Sequence, residues 1–118
     1  MRSAADVIAA AKARVTQVGA AETVAKGAAG GALVLIDVRE DREWNLGHAA
    51  GAVHMSRGTL ESKIDVAVPR DAEIVLYCAS GNRSALAAES LALMGYGKVS
   101  SMEGGFRAWV DANGDVEG

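Results

Sequence analysis

The stretch Ile74–Met94, IVLYCASGNRSALAAESLALM, contains the pattern of a strand, a short polar loop and a helix, in that order. It opens on a short apolar run that includes β-branched residues, which is typical of a buried strand. Residues 79–83 are small or polar and predict a tight loop. From Ser84 the apolar residues recur at helical spacing until a stop at Gly95. Cys78, the sole cysteine of the sequence, ends the strand and lies at the mouth of the loop.

This position favours a nucleophile over an inert core residue. The first turn of a helix leaves N–H groups unpaired and carries a positive partial charge, so the loop before it attracts anions. A thiolate gains from that field and a neutral thiol does not, so we expect the pKa of Cys78 to be lowered. Arg83 adds a permanent positive charge if its side chain faces the loop. The alternative is an inert buried thiol, since free cysteine is common in protein cores.

Length, composition and charge restrict the class of protein. The 118 residues are half apolar and contain one proline, which predicts one domain with a single core. A net charge of −3 without a basic cluster argues against a nucleic-acid partner. A single cysteine cannot form an intramolecular disulfide, and no apolar run has the length of a membrane span. We therefore expect a cytoplasmic protein with no membrane partner.

The N-terminus predicts a helix beside the main domain. Ser3–Asp6 has the form of a capping box, which predicts a helix that runs to about Arg14. Its apolar stripe is thin, so this helix either docks on the edge of the domain or frays. We expect residues 1–14 to form a helix packed on the domain edge and residues 15–118 to form the domain itself.

The rest of the chain alternates between predicted strands and helices. Leu33–Ile36 is the most apolar run and predicts a central strand buried on both faces. The other predicted strands are a short edge strand at 15–18, a strand at Val53–Met55 and a last strand at Val99–Met102. The predicted helices are Ala20–Lys26, followed by breaks at Gly27 and Gly30–Gly31, a short helix that is capped by Asp41, contains Trp44 and ends at Gly47, a helix at Thr59–Ile64 and a helix that follows Gly104–Gly105. A loop at 48–52 and a turn at Pro69–Asp71 are the predicted connections. This alternation predicts an α/β fold with a mostly parallel sheet flanked by helices on both faces.

In such sheets ligands bind beyond the carboxyl ends of the strands, and both Asp37 and Cys78 follow predicted central strands. This placement predicts a site around Cys78 independently of any motif. We expect Asp37 to organise the loop by accepting hydrogen bonds from the backbone or from an arginine. A carboxylate next to the sulfur would raise the thiol pKa, which is the wrong direction for a nucleophile.

Five pieces of sequence occur in a characteristic order: Asp37–Glu40, Gly47–His48 with Gly51–Ala52, Tyr77–Cys78 through Arg83–Ser84, Met94–Tyr96, and Glu103–Trp109. Together they resemble the rhodanese-homology family of single-domain sulfurtransferases over about residues 15–109. The resemblance implies a five-stranded parallel sheet with flanking helices. It also implies that Cys78 carries a persulfide in a cradle formed by the loop residues Ala79, Ser80, Gly81, Asn82, Arg83 and Ser84.

The sequence departs from the family pattern at two places. Ala49 and Ala50 stand where the family usually has a bulky aliphatic residue and a proline. The loop holds one cation, Arg83, and lacks the additional basic residues of the family members best suited to thiosulfate.

The resemblance implies a sulfurtransferase that moves a sulfane sulfur through a Cys78 persulfide. The donor is expected to be thiosulfate, mercaptopyruvate or a persulfide, and the acceptor cyanide in vitro or a thiol or protein in the cell. We expect no cofactor, and His48, His54 and Cys78 lack the spacing of metal ligands. The alternatives are a non-catalytic binding or regulatory module and a carrier that relays sulfur between proteins. Modules of the first kind typically lose the cysteine, which is retained here.

Phosphatases and arsenate reductases of the same fold are a further alternative. Their loops have one more residue between cysteine and arginine, whereas four residues separate Cys78 from Arg83. The shorter ring is expected to fit the terminal sulfur of a persulfide rather than a tetrahedral oxyanion. Tyr77 also stands where a histidine would precede the cysteine, so we favour sulfur transfer over phosphoryl transfer.

Charged and aromatic residues outside the loop are expected to support the structure. We interpret His48 as a histidine that bonds the backbone of its own loop. Arg39 and Arg42 are expected to pair with Glu40 and Glu43 rather than to line the pocket rim. The large aromatic residues are expected to anchor the core: Trp44, Phe106 and Trp109.

Overall fold

Helices and strands alternate along the chain, as the sequence predicts. The computed structural model describes residues 2–28 and 32–118. The helices are α1 (Ala4–Arg14), α2 (Ala20–Ala28), α3 (Asp41–Asn45), α4 (Leu60–Ala67), α5 (Asn82–Leu93) and α6 (Gly105–Asp111). The strands are β1 (Thr16–Val18), β2 (Val34–Asp37), β3 (His48–Ala49), β4 (Val53–His54), β5 (Ile74–Tyr77), β6 (Val99–Met102) and β7 (Val116–Glu117).

The main sheet is parallel and has five strands in the order β1-β6-β5-β2-β4. The predicted α/β fold is confirmed, with β5 as the central strand and β2 beside it. The short strand β1 lies at one edge, as predicted. All five strands run in the same direction, so the residues that follow β2 and β5 lie together at the carboxyl ends of the strands. There Asp37 pairs in register with Tyr77.

Alternation along β5 sends its side chains into two separate cores. Ile74 and Leu76 pack in the cluster that contains Leu60 of α4 and Leu91 of α5. Tyr77 packs in the opposite cluster, with residues of α2 and α6. Cys78 continues the first series, since successive side chains of a strand point to opposite faces, and it belongs to the cluster under α4 and α5.

The N-terminal helix begins with the predicted capping box. The Ser3 hydroxyl accepts from the N–H of Asp6, and the Asp6 carboxylate accepts from the N–H of Ser3. Helix α1 contacts α5, with Ala11 as its buried residue. Arg14, at the end of α1, forms an ion pair with Glu89 of α5.

Three helix boundaries differ from the predicted ones. Helix α5 begins at Asn82 rather than Ser84, because Gly81 adopts a φ of 102° as its N-cap and starts the turn earlier. Helix α2 continues through Gly27, so the predicted break there is wrong: one glycine costs about 1 kcal/mol, which the neighbouring helical residues outweigh. Gly30–Gly31 lies outside the described residues. Helix α4 extends to Ala67.

Two short strands were missed. His48 and Ala49, predicted as part of a loop, form β3 and pair antiparallel with β7, which follows the predicted last strand. Two-residue strands have no periodicity that a sequence pattern could reveal. The N-cap of α3 is Glu40 rather than Asp41, and its N–H donates to the Glu43 carboxylate at 2.9 Å.

The start of α6 is packed directly against the end of β5, and this contact yields a test of the fold. Gly105 has a φ of 58°, and a Cβ placed there would lie 2.3 Å from the carbonyl oxygen of Cys78. That same oxygen accepts from the N–H of Phe106 at 2.7 Å. We expect Gly105→Ala to lower the free energy of unfolding by about 3 kcal/mol, because backbone must move against backbone. Urea unfolding measures the change.

Gly97→Ala is the matched control, since a Cβ at Gly97 meets no atom within 4 Å. It should change the free energy of unfolding by no more than about 0.5 kcal/mol. Equal stability of the two variants would show that the backbone contact at Gly105 is not tight.

Candidate active site

The sulfur of Cys78 lies where β5 gives way to α5, and donors from the first turn of the helix surround it. The side chain is 1% exposed. The N–H of Gly81 donates to Sγ at 3.1 Å and the N–H of Ser84 at 3.4 Å. The Ser84 hydroxyl lies 3.6 Å from Sγ. The thiol donates in that last contact, whereas toward a thiolate the hydroxyl would donate, so all three groups can stabilise a negative sulfur.

A second buried serine orients the hydroxyl of Ser84. Its Oγ lies 2.8 Å from the Oγ of Ser101 on β6, and both serines are fully buried. When the Ser101 hydroxyl donates to the Ser84 oxygen, the Ser84 hydroxyl can donate its own proton to the Cys78 sulfur. The two hydroxyls thus form a chain that ends on Cys78.

Opposing effects act on the ionisation of Cys78. Burial raises the pKa of the thiol, since it penalises the charged form. Hydrogen bonds from the Ser84 hydroxyl and from the N–H groups of Ser84 and Gly81 lower the pKa, and the donors around the sulfur together outweigh burial. The net result is a thiol pKa below its ordinary value, as a nucleophile would require.

The Asp37 carboxylate lies on the opposite side of the sheet from the sulfur and organises the loops there. It accepts from the N–H of Arg39 at 2.8 Å and from the guanidinium of Arg39 at 2.8 to 3.1 Å. Arg39 is 5% exposed and also donates to the carbonyl of Gly47 at 2.7 Å. Asp37 therefore accepts from backbone and from an arginine, as expected, but the expected pairing of Arg39 with Glu40 or Glu43 is wrong.

Tyr77 completes this buried group. Its hydroxyl donates to Asp37 at 2.5 Å and accepts from the N–H of Ala49 at 3.1 Å. Burial, together with the hydrogen bond to Asp37, raises the pKa of Tyr77 well above its ordinary value. Tyr77 therefore stays a neutral donor, and it ties together the ends of β2, β5 and β3.

Arg83 of the predicted cradle is paired with a carboxylate. Its guanidinium forms two hydrogen bonds with Glu43 of α3, at 2.8 and 3.0 Å. Of the other loop residues, Ser80 and Asn82 are exposed and Ala79 is partly exposed. The hydrogen bonds to the sulfur come from Gly81 and Ser84, which lie at the start of α5.

The structure places His48 against its own loop. Its Nδ1 lies 3.1 Å from the carbonyl oxygen of Trp44, and the two rings stack with centroids 3.4 Å apart. Trp44 is partly buried and also stacks on His54. Trp109 is buried in the core, and Phe106 packs against it.

The described residues contain neither a group of metal ligands nor a membrane-spanning helix. Across 2–28 and 32–118, no cluster of three or more His, Cys, Asp or Glu side chains is arranged to hold a metal ion. Over the same ranges, no helix combines the length and apolarity needed to cross a bilayer.

Three residues of the site were not singled out from the sequence: Ser101, Glu43 as the partner of Arg83, and Tyr77 as a donor. Ser101 lies in a predicted strand. A buried serine there would indicate a hydrogen-bond partner, but the sequence does not show which face of that strand is buried. Glu43 and Arg83 are 40 residues apart, so no local pattern links them.

Removing the Ser84 hydroxyl should raise the pKa of Cys78, because the thiolate loses a donor that the neutral thiol does not need. Ser84→Ala should therefore slow alkylation by iodoacetamide about tenfold at a pH below the pKa, where the thiolate fraction limits the rate. At alkaline pH, where the thiol is ionised in both proteins, the two rates should converge.

Ser90→Ala is the control for this substitution. Ser90 lies on the same helix and its hydroxyl donates to Glu61 at 2.7 Å. It should leave the pH dependence of alkylation unchanged. An unchanged pH dependence in Ser84→Ala as well would show that the hydroxyl does not act on the sulfur.

The chain is similar in sequence and structure to known proteins. The family model of the rhodanese-like domain matches residues 20–112. A Rhodopseudomonas palustris protein of unknown function, described as a possible tyrosine phosphatase, is similar in structure with a TM-score of 0.89 and 35% identity, covering 99% of this chain and 96% of that one. The rhodanese-like domain of an Anabaena protein has a TM-score of 0.82 and 28% identity, covering 86% of this chain and 78% of that one.

A rhodanese-related protein from Thermoplasma volcanium has a TM-score of 0.76 and 29% identity, covering 86% of this chain and 97% of that one. The family match spans most of the sequence and includes the strand, loop and helix that hold Cys78. The chain belongs to the rhodanese-like domain family.

Proposed function

We propose that the protein is a sulfurtransferase in which Cys78 accepts a sulfane sulfur from a small donor and passes it to a thiophilic acceptor. The observation that carries the proposal is the buried sulfur with hydrogen-bond donors from Gly81 and Ser84. The two N–H groups are fixed by the backbone before any reaction, so they stabilise negative sulfur without reorganising.

In the first half-reaction the Cys78 thiolate attacks the outer sulfur of the donor. With thiosulfate, a bond forms between Sγ and the outer sulfur, and the bond between the two donor sulfurs breaks. Sulfite leaves with the electron pair of that bond, and Cys78 becomes a persulfide anion. No proton moves, so a lowered thiol pKa removes the need for a general base.

In the second half-reaction an acceptor nucleophile attacks the outer sulfur of the persulfide. The bond between the two sulfurs breaks, and its electron pair returns to Sγ as the thiolate. Cyanide is the acceptor in an assay, and a thiol or a partner protein is the proposed acceptor in the cell. Cys78 is the only cysteine in the sequence, so a resolving thiol must come from another molecule.

A phosphatase is the second candidate, because the similar Rhodopseudomonas protein is described as a possible tyrosine phosphatase. Two observations weigh against it. Four residues separate Cys78 from Arg83, which makes a small ring. The Arg83 guanidinium, which a phosphate would need, is already engaged by Glu43. A binding module without catalysis is disfavoured because the nucleophile and its donors are intact.

Intact-mass measurement after incubation with thiosulfate tests the proposal. We expect a gain of one sulfur atom that disappears when cyanide is added, since cyanide removes the outer sulfur as thiocyanate. Cys78→Ser, which replaces the thiol by a hydroxyl, should gain nothing.

If thiosulfate fails but mercaptopyruvate or an organic persulfide loads the protein, the mechanism stands with a different donor. No loading from any of these donors would overturn sulfur transfer. Hydrolysis of an aryl phosphate that is lost in Cys78→Ser would instead establish the phosphatase.

A further inference from the structure

The charge of the loop arginine is balanced by a carboxylate from another helix. Arg83 lies in the first turn of α5, between the residues whose N–H groups reach the sulfur. Its Nη1 and Nη2 bond to the two carboxylate oxygens of Glu43 at 2.8 and 3.0 Å. Both side chains are about two-thirds buried, at 35% and 27% exposure, so solvent screens the pair less than a surface pair.

Glu43 is held in place independently of Arg83. Its Oε1 accepts from the N–H of Glu40 at 2.9 Å, at the start of α3. The hydrogen bond from Arg83 lowers the pKa of Glu43 to about 2, although burial opposes this. Glu43 is therefore charged at every pH at which Cys78 forms a thiolate, and the pair does not dissociate by titration.

The other arginine expected to support the site offers no compensating charge. Arg39 is buried, and its guanidinium is directed to the Asp37 carboxylate and the Gly47 carbonyl. The sulfur thus has neutral N–H and hydroxyl donors. The charge of Arg83, on the same loop, is balanced by Glu43. Such a site stabilises the one negative charge of the Cys78 thiolate. It offers little stabilisation to the additional negative charges that an anionic donor brings, and a dianion brings two of them.

We propose that the Glu43–Arg83 ion pair selects the sulfur donor by charge, so that the site prefers a donor with one negative charge or none, such as an organic persulfide, over the thiosulfate dianion. This inference rests on the proposed sulfur transfer and names the donor class for it. A dianionic donor must either bind beside the Glu43–Arg83 ion pair, which has no net charge, or break that ion pair to reach the arginine. Separation leaves a partly buried carboxylate without its partner, which is unfavourable.

Two donors of similar shape and different charge isolate the effect. Thiosulfate carries two negative charges, and methanethiosulfonate carries one because a methyl group replaces an anionic oxygen. Each donor gives its outer sulfur to Cys78 as the bond between its sulfurs breaks. Sulfite or methanesulfinate, respectively, leaves with the electron pair. The rate constant of persulfide formation is followed by intact mass for each donor.

Glu43→Gln removes the negative charge and keeps an oxygen that accepts from the N–H of Glu40. Because Arg83 then carries an unbalanced positive charge, the rate constant of persulfide formation from methanethiosulfonate should rise about threefold. The interaction energy with Arg83 is proportional to the charge of the donor, so it is twice as large for thiosulfate. The rate constant with thiosulfate should therefore rise by the square of the first factor, about tenfold. The preference for thiosulfate over methanethiosulfonate should therefore rise about threefold.

Glu73→Gln is the matched control. Glu73 forms an ion pair with Lys26 at 2.8 Å and immediately precedes β5, at the end of the strand away from Cys78. This variant changes the net charge by the same amount and should leave the donor preference unchanged. An unchanged preference in Glu43→Gln, or an equal change in both variants, would overturn the inference.

Alkylation of Cys78 tests the same charge effect without any sulfur donor. Iodoacetate is anionic and iodoacetamide is neutral, and a change in the thiol pKa affects both rates equally. Glu43→Gln should raise the ratio of the iodoacetate rate to the iodoacetamide rate about threefold. An unchanged ratio overturns charge selection. Failure of every donor to load Cys78, with the ratio raised, overturns only the proposed sulfur transfer and leaves Glu43 as the residue that controls anion access.

Discussion

The hydrogen bonds to the sulfur of Cys78 are the interaction around which the site is built. A buried thiol resists ionisation, and here the N–H groups of Gly81 and Ser84 and the Ser84 hydroxyl reverse that tendency. Their convergence depends on backbone geometry: Gly81 has a φ of 102°, which turns the chain from strand to helix within a few residues. Gly105 allows the backbone of α6 to pack directly against the carbonyl of Cys78.

The alternation of side chains along the parallel strands keeps two polar groups apart. Cys78, Ser84 and Ser101 are buried on the side of α5, whereas Tyr77 packs on the other side and bonds Asp37 there. The Asp37 charge is matched by Arg39 and does not contact the sulfur. A single strand end therefore carries the Cys78 thiol on one face and the hydrogen bond of Tyr77 to Asp37 on the other, without the carboxylate raising the thiol pKa.

Local patterns in the sequence were sufficient to predict the elements that hold Cys78. The apolar run of β5, the polar loop and the amphipathic α5 each have a periodic or compositional signal, and they place Cys78 correctly. The side-chain partners of the arginines could not be predicted, because Arg83 meets Glu43 only after α3 and α5 come together. The hydroxyl chain from Ser101 likewise depends on how β6 aligns with β5. Pairings of this kind depend on tertiary packing, which local propensity does not encode.

The balance between burial and hydrogen bonding at one sulfur atom decides the chemistry open to this protein. Ultraviolet absorbance of the thiolate, recorded as a function of pH and corrected with Cys78→Ser, measures that balance directly. We expect a single titration with a pKa below the value of about 8.5 for a free cysteine, because the donors at the start of α5 outweigh burial. A pKa at or above about 8.5 would show that burial dominates, and it would contradict the proposal that Cys78 is a nucleophile ready to take up sulfur.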